Sequence, residues 1–365
     1  MTKRRKARKI KIGNVPVGGL SPVSIQSMTN TDTRNAEATI AQIRELAFHG
    51  CEIIRVAVPD MKAIETLPEI IDGSPIPLIA DIHFDWRLAL ASINAGVHGI
   101  RINPGNIGGK DKVKKIAEAA GNANIPIRVG ANTGSLPKGF YEKLLKKYSS
   151  AENALSEALV QSALEQCGAL ENFGFRKIKV SLKASDVPVT VAAYRKFASR
   201  TDYPLHLGVT EAGTYKTGIV KSAVGIGSLL LDGIGDTIRV SLTAPPLEEV
   251  KAAQSILEAA GLRKTMPEIV SCPTCGRTEI DLFKLVDDVE KLISSLKAEG
   301  RKINIGKIAV MGCVVNGPGE ARDAELGITG GKGKIILFKN GKASGTFSEK
   351  QGFEMLRREI LKKSS

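Results

Sequence analysis

The sequence predicts a TIM-type (β/α)8 barrel followed by a small α+β domain, and three observations predict it. From about residue 20 to 245, short β-rich runs alternate with helical stretches. Eight such runs occur over this length. Charged and amide residues recur at the C-terminal ends of nearly all of them, where barrel enzymes build their sites. A doubly wound open sheet, the runner-up, would gather such residues at one switch point.

The runs are 23–26, 53–58, 77–81, 99–103, 127–130, 178–182, 205–210 and 237–241. The connection between Asn132 and Arg176 is longer than the rest and holds two helical segments; the second, 151–170, reads as barrel decoration. Ala244-Pro-Pro-Leu-Glu248 and Gly261 punctuate the end of the barrel, placing a boundary near residue 260 between 1–260 and 261–365. In the second segment a strand at 267–271 leads into an amphipathic helix carrying Leu282, Leu285, Val286, Val289, Leu292, Ile293 and Leu296 on one face. A strand at 305–311, a hairpin through Asn340-Gly341 and a helix at 349–362 complete it.

The chain has 365 residues and five cysteines, with no run long enough to cross a bilayer and no signal-peptide core after the basic start. That usage argues for a reducing cytoplasm and for metal or redox chemistry. The net charge of +14 invites a nucleic-acid reading, but aromatics are only 4% and no familiar nucleic-acid module is present. The arginines fall at strand ends instead, which suits a small anion; an acidic electron carrier would be steered by the same field.

Those strand ends carry Arg55, then Asp81 with His83, Arg101 with Asn103, Arg128 with Asn132, Lys183, Glu211, and Arg239 with Ser241. Four arginines and a lysine converging on one mouth repel each other unless an anion neutralises them, and the planar guanidinium fork suits phosphate oxygens. A diphosphate is the natural guest. For any single arginine a solvated rim side chain is the simpler reading. Lys183 reads either as an anion ligand or as a Schiff-base lysine, with the arginines favouring the anion. Asp81 and His83 form either an acid–base pair or an orienting pair. Glu211, among small residues, serves as general acid or counter-ion. Asn103-Pro-Gly-Asn-Ile-Gly-Gly109 reads first as a structural turn, and Cys51 and Cys167 as buried small hydrophobes.

Three cysteines remain. Ser271-Cys-Pro-Thr-Cys-Gly276 turns Cys272 and Cys275 toward one centre, and Met311-Gly-Cys-Val-Val-Asn-Gly-Pro-Gly-Glu320 brings Cys313 from a distant Gly-rich loop. Glu320 lies seven residues beyond it. Three soft ligands and one hard, weak one suit a catalytic iron–sulfur cluster with one exchangeable iron. The spacing also admits a structural zinc site, or a disulfide plus a spare thiol, in that order. A radical S-adenosylmethionine enzyme is disfavoured because its C-x-x-x-C-x-x-C motif is missing.

Together with those cysteine motifs, Ser24-Ile-Gln-Ser-Met-Thr-Asn-Thr-Asp-Thr33, Arg55-Val-Ala-Val-Pro59, Ala80-Asp-Ile-His-Phe84, Arg101-Ile-Asn-Pro-Gly105 and Ile127-Arg-Val-Gly-Ala-Asn132 resemble the bacterial 4-hydroxy-3-methylbut-2-enyl diphosphate synthases over almost the whole chain. The resemblance implies a cytoplasmic oxidoreductase of the methylerythritol phosphate pathway, acting on 2-C-methyl-D-erythritol 2,4-cyclodiphosphate. It implies a [4Fe–4S] cluster on Cys272, Cys275, Cys313 and Glu320. Arg55, Arg101, Arg128, Lys183, Arg239 and Ser241 would hold the diphosphate, with Asn103 and Asn132 assisting and Asp81 and His83 bordering the site. Glu211 matches the family's proposed acid. The electron donor would be flavodoxin or ferredoxin, and a head-to-tail homodimer would bring each cluster domain to its partner's barrel. The alternative is a barrel lyase or aldolase using Lys183, with zinc on the cysteines.

Overall fold

Along Ile178–Lys183 the residues alternate, Ile178, Val180 and Leu182 to one side and Lys179, Ser181 and Lys183 to the other, and both sides are buried. A strand buried on both faces belongs inside a helix-covered parallel sheet, and the polar side then has to face its interior. The computed structural model describes residues 3–136, 139–148, 150–264, 266–313, 315, 317–331 and 333–365, with the side chains of Ser135, Pro318 and Glu320 excepted. The chain divides into two compact units, Met1–Arg263 and Lys264–Ser365.

The first unit opens with an antiparallel hairpin of β1 (Ile10–Ile12) and β2 (Val15–Val17). Eight parallel strands follow: β3 (Ser24–Met28), β4 (Ile53–Ala57), β5 (Leu78–Asp81), β6 (Gly99–Arg101), β7 (Ile127–Asn132), β8 (Ile178–Lys183), β9 (His206–Leu207) and β10 (Thr237–Ile238). Their order is β8-β7-β6-β5-β4-β3-β10-β9. The bridge Val180↔Leu205 and the bond from Val180 N–H to Pro204 O at 2.9 Å join β8 to the chain entering β9, which closes the ring. An open doubly wound sheet is thereby excluded. β9 and β10 are shorter than their sequence pattern, although Thr210 N–H still reaches Ala184 O at 3.2 Å.

The hairpin packs Ile10, Ile12 and Val17 against Ile53 and Ile79 and so floors the barrel. The arginines before it are tied down: Arg4 to Asp236 at 3.3 Å, Arg5 to the carbonyls of Ala198 and Tyr203 at 3.1 and 3.0 Å, and Arg8 to Asp202 at 2.6 Å. One expectation is corrected here. Helix Ala151–Glu171 is no decoration but the barrel's own link from β7 to β8, placing Leu159, Val160, Ala163, Cys167 and Leu170 in the main core. Its Gln166 accepts Gly130 N–H at 3.1 Å. The short helix Phe140–Leu145 is the extra element.

The second unit is a five-stranded sheet of β11 (Glu268–Ser271), β12 (Lys307–Met311), β13 (Leu326–Gly331), β14 (Lys334–Lys339) and β15 (Lys342–Ser348), in that order. The first three run parallel and the rest antiparallel. Helices Leu282–Ala298 and Glu349–Lys362 bury Leu285, Val289, Ile293, Leu356 and Ile360 against Ile308, Val310, Ile328 and Leu337. Asn340 and Gly341, at φ 47° and 75°, make the left-handed turn from β14 to β15. No helix among the described residues is long and apolar enough to cross a membrane.

Candidate active site

The barrel's inward positions hold charge where most such barrels hold aliphatic side chains. Arg55, in the middle of β4, donates to Met28 Sδ at 3.3 and 3.0 Å and pairs with Asp81 Oδ2 at 3.4 Å. Arg101, at the end of β6, reaches Asp81 Oδ1 at 3.1 Å and His83 Nε2 at 3.3 Å. One carboxylate thus serves two guanidinium groups. Burial alone would raise the Asp81 carboxyl, but Arg55, then His83, Arg101 and Arg128, outweigh it and hold it well below the usual range. Burial lowers Arg55 to about 10 despite Asp81.

Arg128 is the second residue of β7, so it and Arg55 rise from inside the barrel and not from the strand ends their sequence positions suggested. Its Nε and Nη1 are buried and have no hydrogen-bond partner among the described residues. Lys183, 8% exposed, ends β8; burial, followed by Arg128, Arg239, Arg55 and Arg101, pushes its pKa well below the usual lysine range. Gly208 makes room for it, since a Cβ there would lie 2.8 Å from Lys183 Nζ. Arg239, just past β10, pairs with Glu249 Oε2 at 3.3 Å, and Glu249 Oε1 accepts Leu242 N–H at 2.9 Å.

Below this mouth lies a tier that the sequence reading missed. Lys179, 1% exposed, donates to Gln26 Oε1 at 3.2 Å across the barrel, and buried His206 places Nδ1 2.8 Å from Thr237 Oγ1. Period-two alternation along β8 was the available signal for Lys179; Met28 and Glu249 had none. Six basic side chains (Arg55, Arg101, Arg128, Lys179, Lys183 and Arg239) therefore share the barrel interior and mouth, and among the described residues the carboxylates that pair with them are Asp81 and Glu249. Such a field holds a multiply charged anion of the phosphate type.

The remaining predicted residues sit in the loops above. Asn103 Oδ1 accepts Gly105 N–H at 3.0 Å and Asn132 Oδ1 accepts Gly134 N–H at 3.2 Å, so both amides shape their own turns. Glu211 is exposed and adopts φ 51°, a left-handed conformation unusual for a residue with a side chain. Thr243 N–H reaches Gly213 O at 3.1 Å, tying the Glu211 loop to the one that carries Ser241.

In the second unit Cys272, Cys275 and Cys313 are all free thiols. Cys272 Sγ accepts the N–H of Gly312 at 3.3 Å, so the C-x-x-C turn lies beside the loop of Cys313. Cys275 is exposed, and the backbone and side chain of Arg277 lower its pKa. Among the described residues no three His, Cys, Asp or Glu side chains are grouped tightly enough to hold a metal ion, and the side chain of Glu320 lies outside them, as does that of Pro318. Three unpaired sulfurs, one already receiving a backbone N–H, are a donor set that fits an iron–sulfur cluster.

The fold and the mouth define a parallel-barrel protein with a cation-lined mouth suited to a polyanion, and a second, cysteine-bearing unit. The dihydropteroate synthase of Yersinia pestis has a TM-score of 0.50 at 12% identity, over 69% of this chain and 98% of that one. The type I 3-dehydroquinate dehydratase of Clostridium difficile also has a TM-score of 0.50, at 15% identity over 70% and 98%. These are likenesses of fold alone. The GcpE TIM-barrel domain matches residues 7–254 and the GcpE protein C-terminal domain matches 268–362. A protein of Geobacter sulfurreducens named 4-hydroxy-3-methylbut-2-en-1-yl diphosphate synthase (flavodoxin) is 55% identical over 339 residues, 93% of this chain and 92% of its own. One of the same name from Caldanaerobacter subterraneus subsp. tengcongensis is 52% identical over 363 residues, 99% of each. This chain belongs to the GcpE family.

Proposed function

We propose that this protein reductively opens 2-C-methyl-D-erythritol 2,4-cyclodiphosphate to (E)-4-hydroxy-3-methylbut-2-enyl diphosphate in the methylerythritol phosphate pathway, as the names of its GcpE relatives indicate. The observation that carries the reading is the barrel's excess of buried basic side chains, with two Arg128 nitrogens left without a partner among the described residues. The reaction breaks the ring's carbon–oxygen bond to phosphate, forms a carbon–carbon double bond and releases one hydroxyl as water. Two electrons and one proton enter, and the diphosphate gains one negative charge.

Arg55, Arg101, Arg128, Lys183 and Arg239 stabilise that charge where it develops, in a site already desolvated. Ser241, Asn103 and Asn132 position the ring, and Asp81 with His83 keeps Arg101 and Arg55 aimed. Glu211 delivers the proton that leaves with the hydroxyl; its left-handed backbone is the support for giving it this role. Cys272, Cys275, Cys313 and Glu320 would hold a [4Fe–4S] cluster, which when bound supplies the electrons and Lewis acidity that carbon–oxygen reduction needs. Residues 1–260 then form the substrate-binding domain and 261–365 the cluster domain. Flavodoxin, named with the relatives, or ferredoxin would reduce it, and a head-to-tail homodimer would let each cluster domain serve its partner's barrel.

The test is metal analysis of anaerobically purified protein, then turnover of the cyclodiphosphate. About four irons and four sulfides per chain, a brown band that dithionite bleaches, and product formation are the expected results. Stoichiometric zinc without sulfide, even after anaerobic reconstitution, overturns the reading in favour of a lysine-dependent barrel enzyme.

A further inference from the structure

Lys179 and Lys183 leave the same face of β8, four residues and so about 13 Å of strand apart, and both are buried. Lys183 faces Arg128 of β7, Arg239 after β10, Arg55 of β4 and Arg101 of β6. Lys179 faces Arg128, Arg55, and Asp236 at the entry to β10. It also lies near His206 of β9 and bonds Gln26 of β3. Asp236 is already committed to Arg4 and to Leu205 N–H, at 3.3 and 2.8 Å. Asp81 is shared by Arg55 and Arg101. Neither lysine forms a salt bridge among the described residues, while the arginines stay charged at any working pH.

We propose that the barrel takes up a proton when its anionic substrate binds, and that Lys179, one tier below the mouth, is the positioning residue that receives it. An empty barrel relieves the crowding of cations by leaving a lysine as a neutral amine, its N–H turned to Gln26 Oε1. An arriving diphosphate reverses the field; the amine then binds a proton from solvent and becomes an ammonium, adding one positive charge beneath Arg128. Burial, then Arg128 and Arg55, push Lys179 well below the ordinary lysine range in the empty barrel, which agrees with this. The inference rests on the diphosphate reading for the identity of the anion and goes beyond it in coupling binding to a proton.

The experiment is calorimetric titration of the full-length, cluster-loaded protein, without reductant, in buffers of different ionisation enthalpy. The cyclodiphosphate is one probe and sulfate the other, since neither carries a proton that titrates near neutrality. The expected result is uptake of about one proton per anion, with affinity falling about tenfold per pH unit. Lys179→Met should still bind but take up fewer protons and show a flatter pH dependence. Buffer-independent heats in the wild-type protein, or unchanged uptake in Lys179→Met, overturn the proposal and leave the diphosphate reading standing. Sulfate binding with uptake but no cyclodiphosphate binding supports the coupling and removes the diphosphate. Binding of neither removes both. The wild-type measurement decides even if the variant fails to fold.

Discussion

Glu249 grips Arg239 by one end only: Oε2 lies 3.3 Å from Nη2, while Arg239 Nε is buried without a partner among the described residues. The other carboxylate oxygen accepts Leu242 N–H, so a single side chain from the barrel's last helix, Pro246–Ala259, sets both the arginine and the loop bearing Ser241. Glu249→Ala should raise KM for the cyclodiphosphate about tenfold, roughly 1.4 kcal/mol, with a smaller change in kcat. Glu249→Gln should fall between, because it still accepts the Leu242 N–H. Steady-state kinetics of the three proteins checks this, and an unchanged KM would make Glu249 purely structural.

Asp81 is the carboxylate on which Arg55 and Arg101 converge. Its folded-state pKa is held below its unfolded value of about 3.9, so its stabilisation is complete above that pH and is lost as pH falls toward the folded value. Asp81→Asn should lower Tm at pH 7 by roughly 5–10 °C, because it strands Arg55 in a buried site. The gap between the two proteins should narrow below about pH 4. Thermal unfolding across pH 3–8 reads both effects.

The thiols separate by burial. Cys51 and Cys167 are each 2% exposed, and burial pushes both thiols up to about 12. In metal-free protein, iodoacetamide should modify exposed Cys275 and leave Cys51 and Cys167 untouched until the chain unfolds. Peptide mass spectrometry before and after denaturant checks the order; rapid labelling of Cys51 would show that the entry to β4 opens readily.

The eight barrel strands are legible in the sequence because their outward residues, such as Ile178, Val180 and Leu182, are aliphatic whatever faces inward. β13 was not, since Leu-Gly-Ile-Thr-Gly-Gly carries glycines that weaken any strand signal. Gly330 is there for packing: a Cβ would lie 2.5 Å from the Ile280 side chain. The mouth residues were legible as a group from their recurrence at strand ends. Their depth was not, because it depends on register: Arg55 and Arg128 start lower than their motifs suggest. Lys179 was hidden for a related reason, since an inward lysine in a polar-lined barrel reads as an ordinary exposed one.

Register also explains two glycines. A Cβ at Gly130 would fall 2.7 Å from the Ser181 carbonyl oxygen, and one at Gly208 would fall 2.6 Å from that of Arg239. Backbone atoms cannot swing aside, so Gly130→Ala and Gly208→Ala should each cost about 1–3 kcal/mol. Gly208→Ala should also weaken cyclodiphosphate binding by displacing Lys183. Chemical denaturation and calorimetry separate the two. Ser181→Gly should rescue Gly130→Ala only in part, because it removes the nearer clash with Ser181 Oγ and leaves the main-chain carbonyl in place.

The basic N-terminus gives the last contrast between charge read from sequence and charge placed in a fold. Arg5 N–H bonds Gly233 O at 2.9 Å while its side chain reaches the carbonyls of Ala198 and Tyr203. The chain runs so close that a Cβ on Gly233 would lie 2.8 Å from Lys3 O. Arg8 pairs with Asp202 and lies 4.4 Å from the centre of the Tyr203 ring. These arginines spend their charge on the barrel's underside, and phosphate backbones would have to compete with those partners. Deleting residues 3–9 should therefore lower Tm and leave affinity for a random-sequence oligonucleotide unchanged at low salt. A deletion that kept Tm but abolished salt-sensitive oligonucleotide binding would instead make the segment a nucleic-acid arm. Arg5→Ala isolates the cause: losing a half-buried guanidinium that serves the carbonyls of Ala198, Thr201 and Tyr203 should cost about 1–3 kcal/mol, visible in denaturant unfolding and absent from any binding curve.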